Sequence, residues 1–169
     1  MNYSNIYLVD TINGEGLRVS LFVSGCTRHC KGCFNKETWD FNHGERFTEE
    51  KRKEIIETIF KSSIEYSGLS LLGGEPLDNI KGLMPLVRSF DSHNEKLNLK
   101  KNIWLWSGYT TDEILNDTCK RSFVFSHVDY IVAGPFIEEQ KDLTLLFRGS
   151  SNQHIYKVNK ETETFDLIE

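Results

Sequence analysis

The sequence has no run of about 18 apolar residues, the length a helix needs to cross a bilayer. Its opening residues, M-N-Y-S-N, also lack the charged segment and apolar stretch that begin a secretory leader. Neither a membrane span nor export is indicated, and the cytoplasm is the expected compartment. A basic excess is missing too. Lys and Arg number 20 against 25 Asp and Glu, for a net charge of −5 with the signs interspersed. The cationic footprint that displaces counterions from nucleic acid is therefore absent, and no nucleic-acid partner is expected. No low-complexity segment and no repeat of fixed period divides the 169 residues. A single domain over residues 1–169, long enough to bury a core, is the expected organisation. Cysteine is scarce, with four residues in the chain. That is too few for the disulfide framework of a small secreted scaffold.

Three of those four cysteines stand together. Cys26, Cys30 and Cys33 read C-T-R-H-C-K-G-C. A cubane 4Fe–4S cluster normally takes four thiolates, one per iron. A loop offering three leaves one iron free for a ligand that is not protein, as an enzyme needs if its cluster must touch substrate or cofactor. Zinc usually takes four ligands, and no second C-x2-C is present. Cys119 lies far along the chain in the polar T-C-K, and His29 sits inside the spacer, where it would have to fold back on its neighbours. On spacing alone an open-iron cluster, a structural zinc site and ordinary buried thiols all stand.

The patterning places this loop. Leu17 to Val23 reads as a strand entering a core, ends at Ser24-Gly25 and runs straight into the cysteines. Thr48 to Tyr66 reads as a helix, with Thr48 as N-cap, Glu49 and Glu50 at the positive end of the dipole, and an apolar stripe of Ile55, Ile56, Ile59, Phe60 and Ile64. A short apolar run, Leu69 to Leu72, leads into Gly73-Gly74-Glu75-Pro76. A helix is expected over Ile80 to Asp91, with Leu83, Leu86, Val87 and Phe90 on one face. Ile103 to Trp106 is a strand ending at Ser107-Gly108. Trp104 and Trp106 share one of its faces and read as core. Thr110 and Glu113 stand at capping-box spacing for the next helix. Val128 to Ala133 is a strand broken by Gly134-Pro135, and Ile155 to Val158 with Thr164 to Ile168 reads as a hairpin. Strand and helix alternate, so parallel βαβ units are expected. Ligands bind beyond the carboxyl ends of such strands. The turns at Ser24-Gly25, Gly73-Gly74, Ser107-Gly108 and Gly134-Pro135 all fall there and imply one shared rim. The five histidines, His29, His43, His93, His127 and His154, are individually weak signals and read as surface or satisfied side chains.

Longer matches extend the cysteine signal. The C-x3-C-x2-C spacing resembles the signature of the radical S-adenosylmethionine (SAM) enzymes. Cys33 to Trp39, C-F-N-K-E-T-W, is similar to the C-(F/Y/H)-N-x-x-T-W run of glycyl-radical-enzyme activating proteins. Gly32 stands where many radical SAM proteins carry an aromatic, and Phe34 follows one place later. Gly73-Gly74-Glu75-Pro76 resembles the radical SAM motif that meets the methionine ammonium of SAM. Ile103 to Thr110, and the G-P-F-I and R-G-S-S-N-Q stretches within Asp129 to Ile155, are similar to segments of the activating proteins of anaerobic ribonucleoside-triphosphate reductases. The resemblance runs from about Asp10 to about Val158.

It implies an α/β chain with a small radical SAM fold, an incomplete open (βα) barrel with parallel strands and outer helices. One 4Fe–4S cluster on Cys26, Cys30 and Cys33 is implied, with SAM held around Gly32, Cys33, Phe34, Gly73, Gly74 and Glu75. Gly74 is the best single contact for the methionine moiety. The radical is cofactor-borne, so no catalytic side chain is named. The implied reaction is reductive cleavage of SAM, followed by formation of a glycyl radical on the glycine-bearing loop of the reductase large subunit, with a small flavoprotein as reductant. Other radical SAM enzymes (pyruvate formate-lyase activators, carboxy-deazaguanine synthases) would share the cysteines, and a non-catalytic iron–sulfur or zinc module is the reading from a different class. Three features keep two readings. Glu75 could instead bond nearby amides for the fold's sake, Asn13 to Gly16 could be a plain turn or could line the site, and Arg148 to Gln153 is a donor-rich loop that could grip a partner or simply cap the last strand.

Overall fold

The alternation of apolar runs and amphipathic helices builds one mixed sheet. The computed structural model describes residues 1–169, with strands β1 (Asn2–Asp10), β2 (Arg18–Val23), β3 (Glu45–Arg46), β4 (Gly68–Gly73), β5 (Asn102–Ser107), β6 (Tyr130–Ala133), β7 (His154–Asn159) and β8 (Thr164–Leu167). Their order is β3-β1-β2-β4-β5-β6-β7-β8. The four central strands, β2, β4, β5 and β6, are parallel neighbours, while β1, β3, β7 and β8 join antiparallel on the two flanks. The parallel expectation thus holds for the centre of the sheet only. The crossovers carry helices α1 (Glu49–Lys61), α2 (Ile80–Lys96), α3 (Thr111–Asn116) and α4 (Thr118–His127).

Period-two alternation divides the central strands into two faces. Val19, Leu21 and Val23 of β2 and Leu69 and Leu71 of β4 join the main core with Ile55, Ile59, Leu83, Leu86 and Phe90 of the helices. The other face carries a small aromatic cluster. Trp104 is buried there with Val132 and Ile155, stacked on Trp106 at 5.7 Å and on Tyr130 at 4.9 Å.

At the amino ends of the parallel strands this second face is closed by Arg18, which is fully buried. Its Nε donates to Ser70 Oγ (2.7 Å), Nη1 to Glu15 O (3.0 Å), and Nη2 to Leu69 O (2.8 Å) and Asn102 O (2.9 Å). No carboxylate touches it directly, and burial lowers its pKa to about 10. The β1–β2 loop lies against it. Gly14 has φ +103°, and a Cβ there would sit 3.1 Å from both Arg18 and Trp104, so only glycine fits without displacement.

Several elements depart from the sequence reading. Strand β1 is hidden in the sequence because its pairing with β2 shifts register after Tyr3 and again after Tyr7, which breaks a clean alternation. Helix α1 stops at Lys61 rather than Tyr66. Ser62 takes an extended conformation (ψ 150°), and Ile64, expected in the apolar stripe, is 56% exposed. Helix α2 continues past Asp91 to Lys96. Helix α4 has no periodic stripe, since Phe123, Val124 and Phe125 are consecutive. It announces itself only through Asp117, whose side chain accepts from the amides of Cys119 and Lys120. The capping box forms as expected, with Thr110 and Glu113 each bonding the other's amide.

Candidate functional site

The carboxyl ends of β2, β4 and β5 and the loop after β6 surround a cavity of about 420 Å³. Cys26, Cys30 and Cys33 all line it, with residues from the turns after β4 and β5. Backbone bonds fix the cysteine loop to the sheet. Gly25 N donates to Thr38 O (2.8 Å), Cys26 N to Trp39 O (3.2 Å), Gly74 N to Val23 O (2.7 Å) and Glu75 N to Gly25 O (2.9 Å). Gly74 makes that contact possible, because a Cβ there would lie 2.7 Å from Gly25 O and 2.9 Å from Thr38 O. Asn79 Nδ2 ties Gly25 O to Glu75 O. Asp78 grips the far side of the loop, accepting from Thr27 N and Thr27 Oγ1 (both 2.8 Å) and from the Tyr109 hydroxyl (2.7 Å). Arg28 lies over the Tyr109 ring and pairs with Glu113 at 2.9 Å. The loop is therefore held from three elements.

Glu75 sits under it, almost fully buried. Its Oε1 accepts from Leu77 N (3.0 Å) and Ser107 Oγ (2.9 Å), and its Oε2 from Gly108 N (2.7 Å). Burial pushes its pKa up to about 7, partly opposed by those three donors and reinforced by the nearby charge of Asp78. Of its two sequence readings, the bonds make Glu75 the buried tie between the β4 and β5 turns.

The donor set suits an iron–sulfur cluster. Cys26 is buried, and burial pushes its free thiol up to about 11 against the pull of the Arg28 and His29 amides, which face its sulfur. Amide donors to a ligating sulfur stabilise the thiolate and tune the cluster it holds. His29 packs against Trp39, ring centres 4.6 Å apart and tilted, and Cys119 is exposed on the first turn of α4.

Of the other residues singled out in the sequence, Phe34, Gly73, Gly74 and Glu75 line the cavity, with Phe34 94% exposed at its mouth. Gly32 lies off the cavity. Its φ of +72° is the left-handed conformation that favours glycine, and the nearest atoms to a Cβ there are the movable end of the Glu138 side chain. Trp106, read as core, forms part of the cavity wall, and its Nε1 donates to Phe147 O (2.7 Å). Its place directly before Ser107-Gly108 was the available signal. Both loops left open in the sequence reach the cavity, through Ile12 and Asn13 on one side and Arg148, Gly149 and Gln153 on the other. Gln153 folds its loop by accepting from the amides of Gly149 and Ser150 and donating to Gly134 O. His93 and His127 make contacts remote from the site, with Ser89 O and Asp91.

Residues 12–156 match the family model of a 4Fe-4S single cluster domain. The chain is 41% identical over 159 residues to the anaerobic ribonucleoside-triphosphate reductase-activating protein of Haemophilus influenzae, covering 93% of this chain and 98% of that one. It is 39% identical over 158 residues to the protein of the same name from Escherichia coli K12, covering 92% and 98%. To that of Enterobacteria phage T4 it is 37% identical over 161 residues, covering 92% and 94%.

The chain belongs to the anaerobic ribonucleoside-triphosphate reductase-activating proteins. The resemblance read from the motifs is thereby the family itself, and the cavity belongs to an activating enzyme with an iron–sulfur domain rather than to a zinc module. No helix is long and apolar enough to cross a membrane.

Proposed function

We propose that this chain activates an anaerobic ribonucleoside-triphosphate reductase by generating a glycyl radical on its large subunit. In this reading Cys26, Cys30 and Cys33 hold one 4Fe–4S cluster, and SAM occupies the cavity beside Cys33, Phe34, Gly73, Gly74 and Glu75, with Gly32 shaping the loop above it. The observation that carries the proposal is the convergence of three thiols and the glycine turns after β4 and β5 on one cavity. When bound, the reduced cluster and SAM supply one-electron chemistry, the reductive cleavage of a sulfonium from which hydrogen-atom abstraction follows.

The chain's own residues prepare the place for it. Amides of Arg28 and His29 steady the Cys26 sulfur. Gly74 brings backbone within contact distance of the cysteine loop, where any side chain would hold the two apart. Glu75 locks the Ser107-Gly108 turn against the β4 turn, so that the two halves of the rim cannot separate. Leu72, Trp106 and Phe147 give the cavity apolar walls, with Phe34 at its mouth. The sheet has free edges at β3 and β8. We read it as the incomplete barrel of a small radical SAM fold, one domain over residues 1–169, open at the side to a protein substrate. A small flavoprotein as reductant and a cytoplasmic setting complete the proposal.

The test is anaerobic reconstitution followed by reduction, with SAM and the reductase present. The reading expects methionine, 5′-deoxyadenosine and the electron-spin doublet of a glycyl radical on the reductase. Tetrahedral zinc in fresh anaerobic material, or no glycyl radical with a SAM-cleaving preparation, would reject it.

A further inference from the structure

The proposed chemistry uses one cavity beside the cysteine loop and leaves a second, of about 400 Å³, without a role. Thr27, His29 and Asp40 to Asn42 line the second alone, while Cys26 and Trp39 line both and so form the wall between them. Of the three clustered thiols, only Cys26 meets the second cavity. Aromatic groups crowd around that thiol. Phe41, 44% exposed, lies against the backbone just before it, since a Cβ on Gly25 would strike the Phe41 ring at 2.1 Å. Trp39 O accepts from the Cys26 amide at 3.2 Å. His29 is exposed and takes the left-handed conformation (φ +47°), which few residues with a side chain adopt. Its ring lies 4.6 Å from that of Trp39.

Charge is uneven here as well. From Leu17 to Lys36 the chain has no Asp or Glu, although it carries 25 of them in all. Arg28 pairs with Glu113, and Lys31 with Glu138 and Glu139, away from the second cavity. Lys36 joins no ion pair, and its Nζ stands 5.9 Å from the centre of a Trp39 ring. Of the nearby carboxylates, Asp40 accepts from the Asn42 amide (2.8 Å) and Glu37 faces His43 (3.8 Å). One free cation therefore borders an exposed aromatic recess backed by a thiol.

We infer that this second cavity docks the electron donor, a small flavoprotein with an acidic rim, its flavin edge against His29 and Phe41 and its carboxylates at Lys36. The inference rests on the activation reading above and adds the surface where the electron arrives. The flavin gives one electron as its anionic hydroquinone and becomes the neutral semiquinone. The cluster that Cys26 helps to hold passes from the 2+ to the 1+ state, and no bond forms or breaks. Position favours this occupant. In the activation reading SAM fills the first cavity and the reductase covers its mouth, so a donor using that route would have to leave before the reductase arrives. A donor seated behind Cys26 can deliver its electron with both in place. The flat flavin edge suits exposed rings. One cation beside a small apolar recess also suits a brief redox encounter, which buries little surface and is steered by charge.

The test uses the full cluster-loaded chain as wild type, His29→Asn and Lys36→Glu. Asparagine tolerates the left-handed backbone, so the first change removes only the ring. Neither His29 nor Lys36 lines the first cavity. Cluster reduction is followed by stopped-flow absorbance with two donors: a flavodoxin reduced to its hydroquinone, and dithionite, which needs no docking site. At subsaturating donor, flavodoxin should reduce both variants about five- to tenfold more slowly than wild type, and dithionite should reduce them within about twofold of it. Saturating reductase should slow the wild-type flavodoxin reaction by less than about twofold, as expected of separate sites. Variants reduced by flavodoxin at the wild-type rate would overturn the inference, as would a wild type that dithionite reduces and flavodoxin does not. Equal slowing with both donors would overturn it in favour of a structural role for His29 and Lys36. A reductase that blocks flavodoxin would overturn it by placing the donor at the first cavity. A wild type that flavodoxin reduces but that forms no glycyl radical would instead sink the activation reading, and the reduction rates would still judge the docking site.

Discussion

Replacing Glu75 by Gln tests whether the buried carboxyl under the cysteine loop titrates near neutrality. In the native chain Glu75 is 1% exposed and its pKa stands at about 7, against an ordinary value of 4.5. Burial is the largest cause, and the Leu77, Gly108 and Ser107 donors only partly offset it. Between those two values the native protein holds a proton that the unfolded chain has already released. Stability from this group is therefore greatest below pH 4.5, falls as pH rises toward 7, and is level above that. The gap corresponds to about 3 kcal/mol at roughly 1.4 kcal/mol per pH unit, of which about 2 to 3 kcal/mol falls between about pH 5 and pH 8. The glutamine variant has nothing to titrate at this position, and subtracting its profile removes every ionisable group the two proteins share. Urea unfolding of both, followed by far-ultraviolet circular dichroism of the cluster-free chain across that pH range, reads the difference directly. Wild type should lose about 2 to 3 kcal/mol relative to Glu75→Gln across the range. Parallel profiles would show that Glu75 stays ionised throughout, so that its three donors outweigh burial, and the reasoning from desolvation would be wrong.

Three further outcomes are expected. Cys26→Ala, Cys30→Ala and Cys33→Ala should each abolish iron loading and SAM cleavage, while Cys119→Ala, exposed on α4, should leave both intact. Iron analysis and 5′-deoxyadenosine yield decide it. Arg18→Met should destabilise the chain by about 2 to 3 kcal/mol in chemical denaturation, because the buried guanidinium's bonds to Ser70, Glu15, Leu69 and Asn102 are lost together. A variant as stable as wild type would refute the account of the closed end. Gly74→Ala should weaken SAM binding more than about tenfold in equilibrium dialysis, since its Cβ meets backbone oxygens at 2.7 and 2.9 Å and must drive the β4 turn off the cysteine loop. Unaltered binding would mean that the loop yields without consequence.

The parts of the molecule legible in the sequence share a feature: their signal is local. The thiols at Cys26, Cys30 and Cys33, the turn at Gly73-Gly74 and the capping box of Thr110 and Glu113 are each written in a few adjacent residues. The central strands and the rim at their carboxyl ends could be placed from those marks alone. What stayed hidden depends on pairing or on distant partners. Strand β1 exists through its register with β2, and the shifts after Tyr3 and Tyr7 erase the alternation that would reveal it. The two tryptophans on β5 could be assigned to one face, but not to different depths on it. Trp104 is buried among Val132 and Ile155, while Trp106 reaches the cavity wall because the strand ends one residue later. The anchoring of Asn13 was invisible for the same reason. Its amide takes direction from Asp10 and its carbonyl from Ser70, 57 residues away.

The two ends of the parallel strands have opposite treatments. At the amino end, the Arg18 guanidinium fills the inner face and directs its donors to backbone carbonyls of β4 and β5 and of the β1–β2 loop. An ion pair would have needed a second buried charge, whereas a carbonyl oxygen already in a ladder has a second lone pair to offer a guanidinium. At the carboxyl end the strands stop in glycine turns whose backbone carries no side chain to fill the space, and the cavity forms there instead. Helices α1, α2 and α4 pack on the outer face, while the inner one carries the Trp104 cluster and meets the loops bearing the cysteines, Asn13 and Arg148. The buried Asp10 and Arg18 support the β1–β2 loop at the edge of that cavity, through Asn13 and the Glu15 carbonyl.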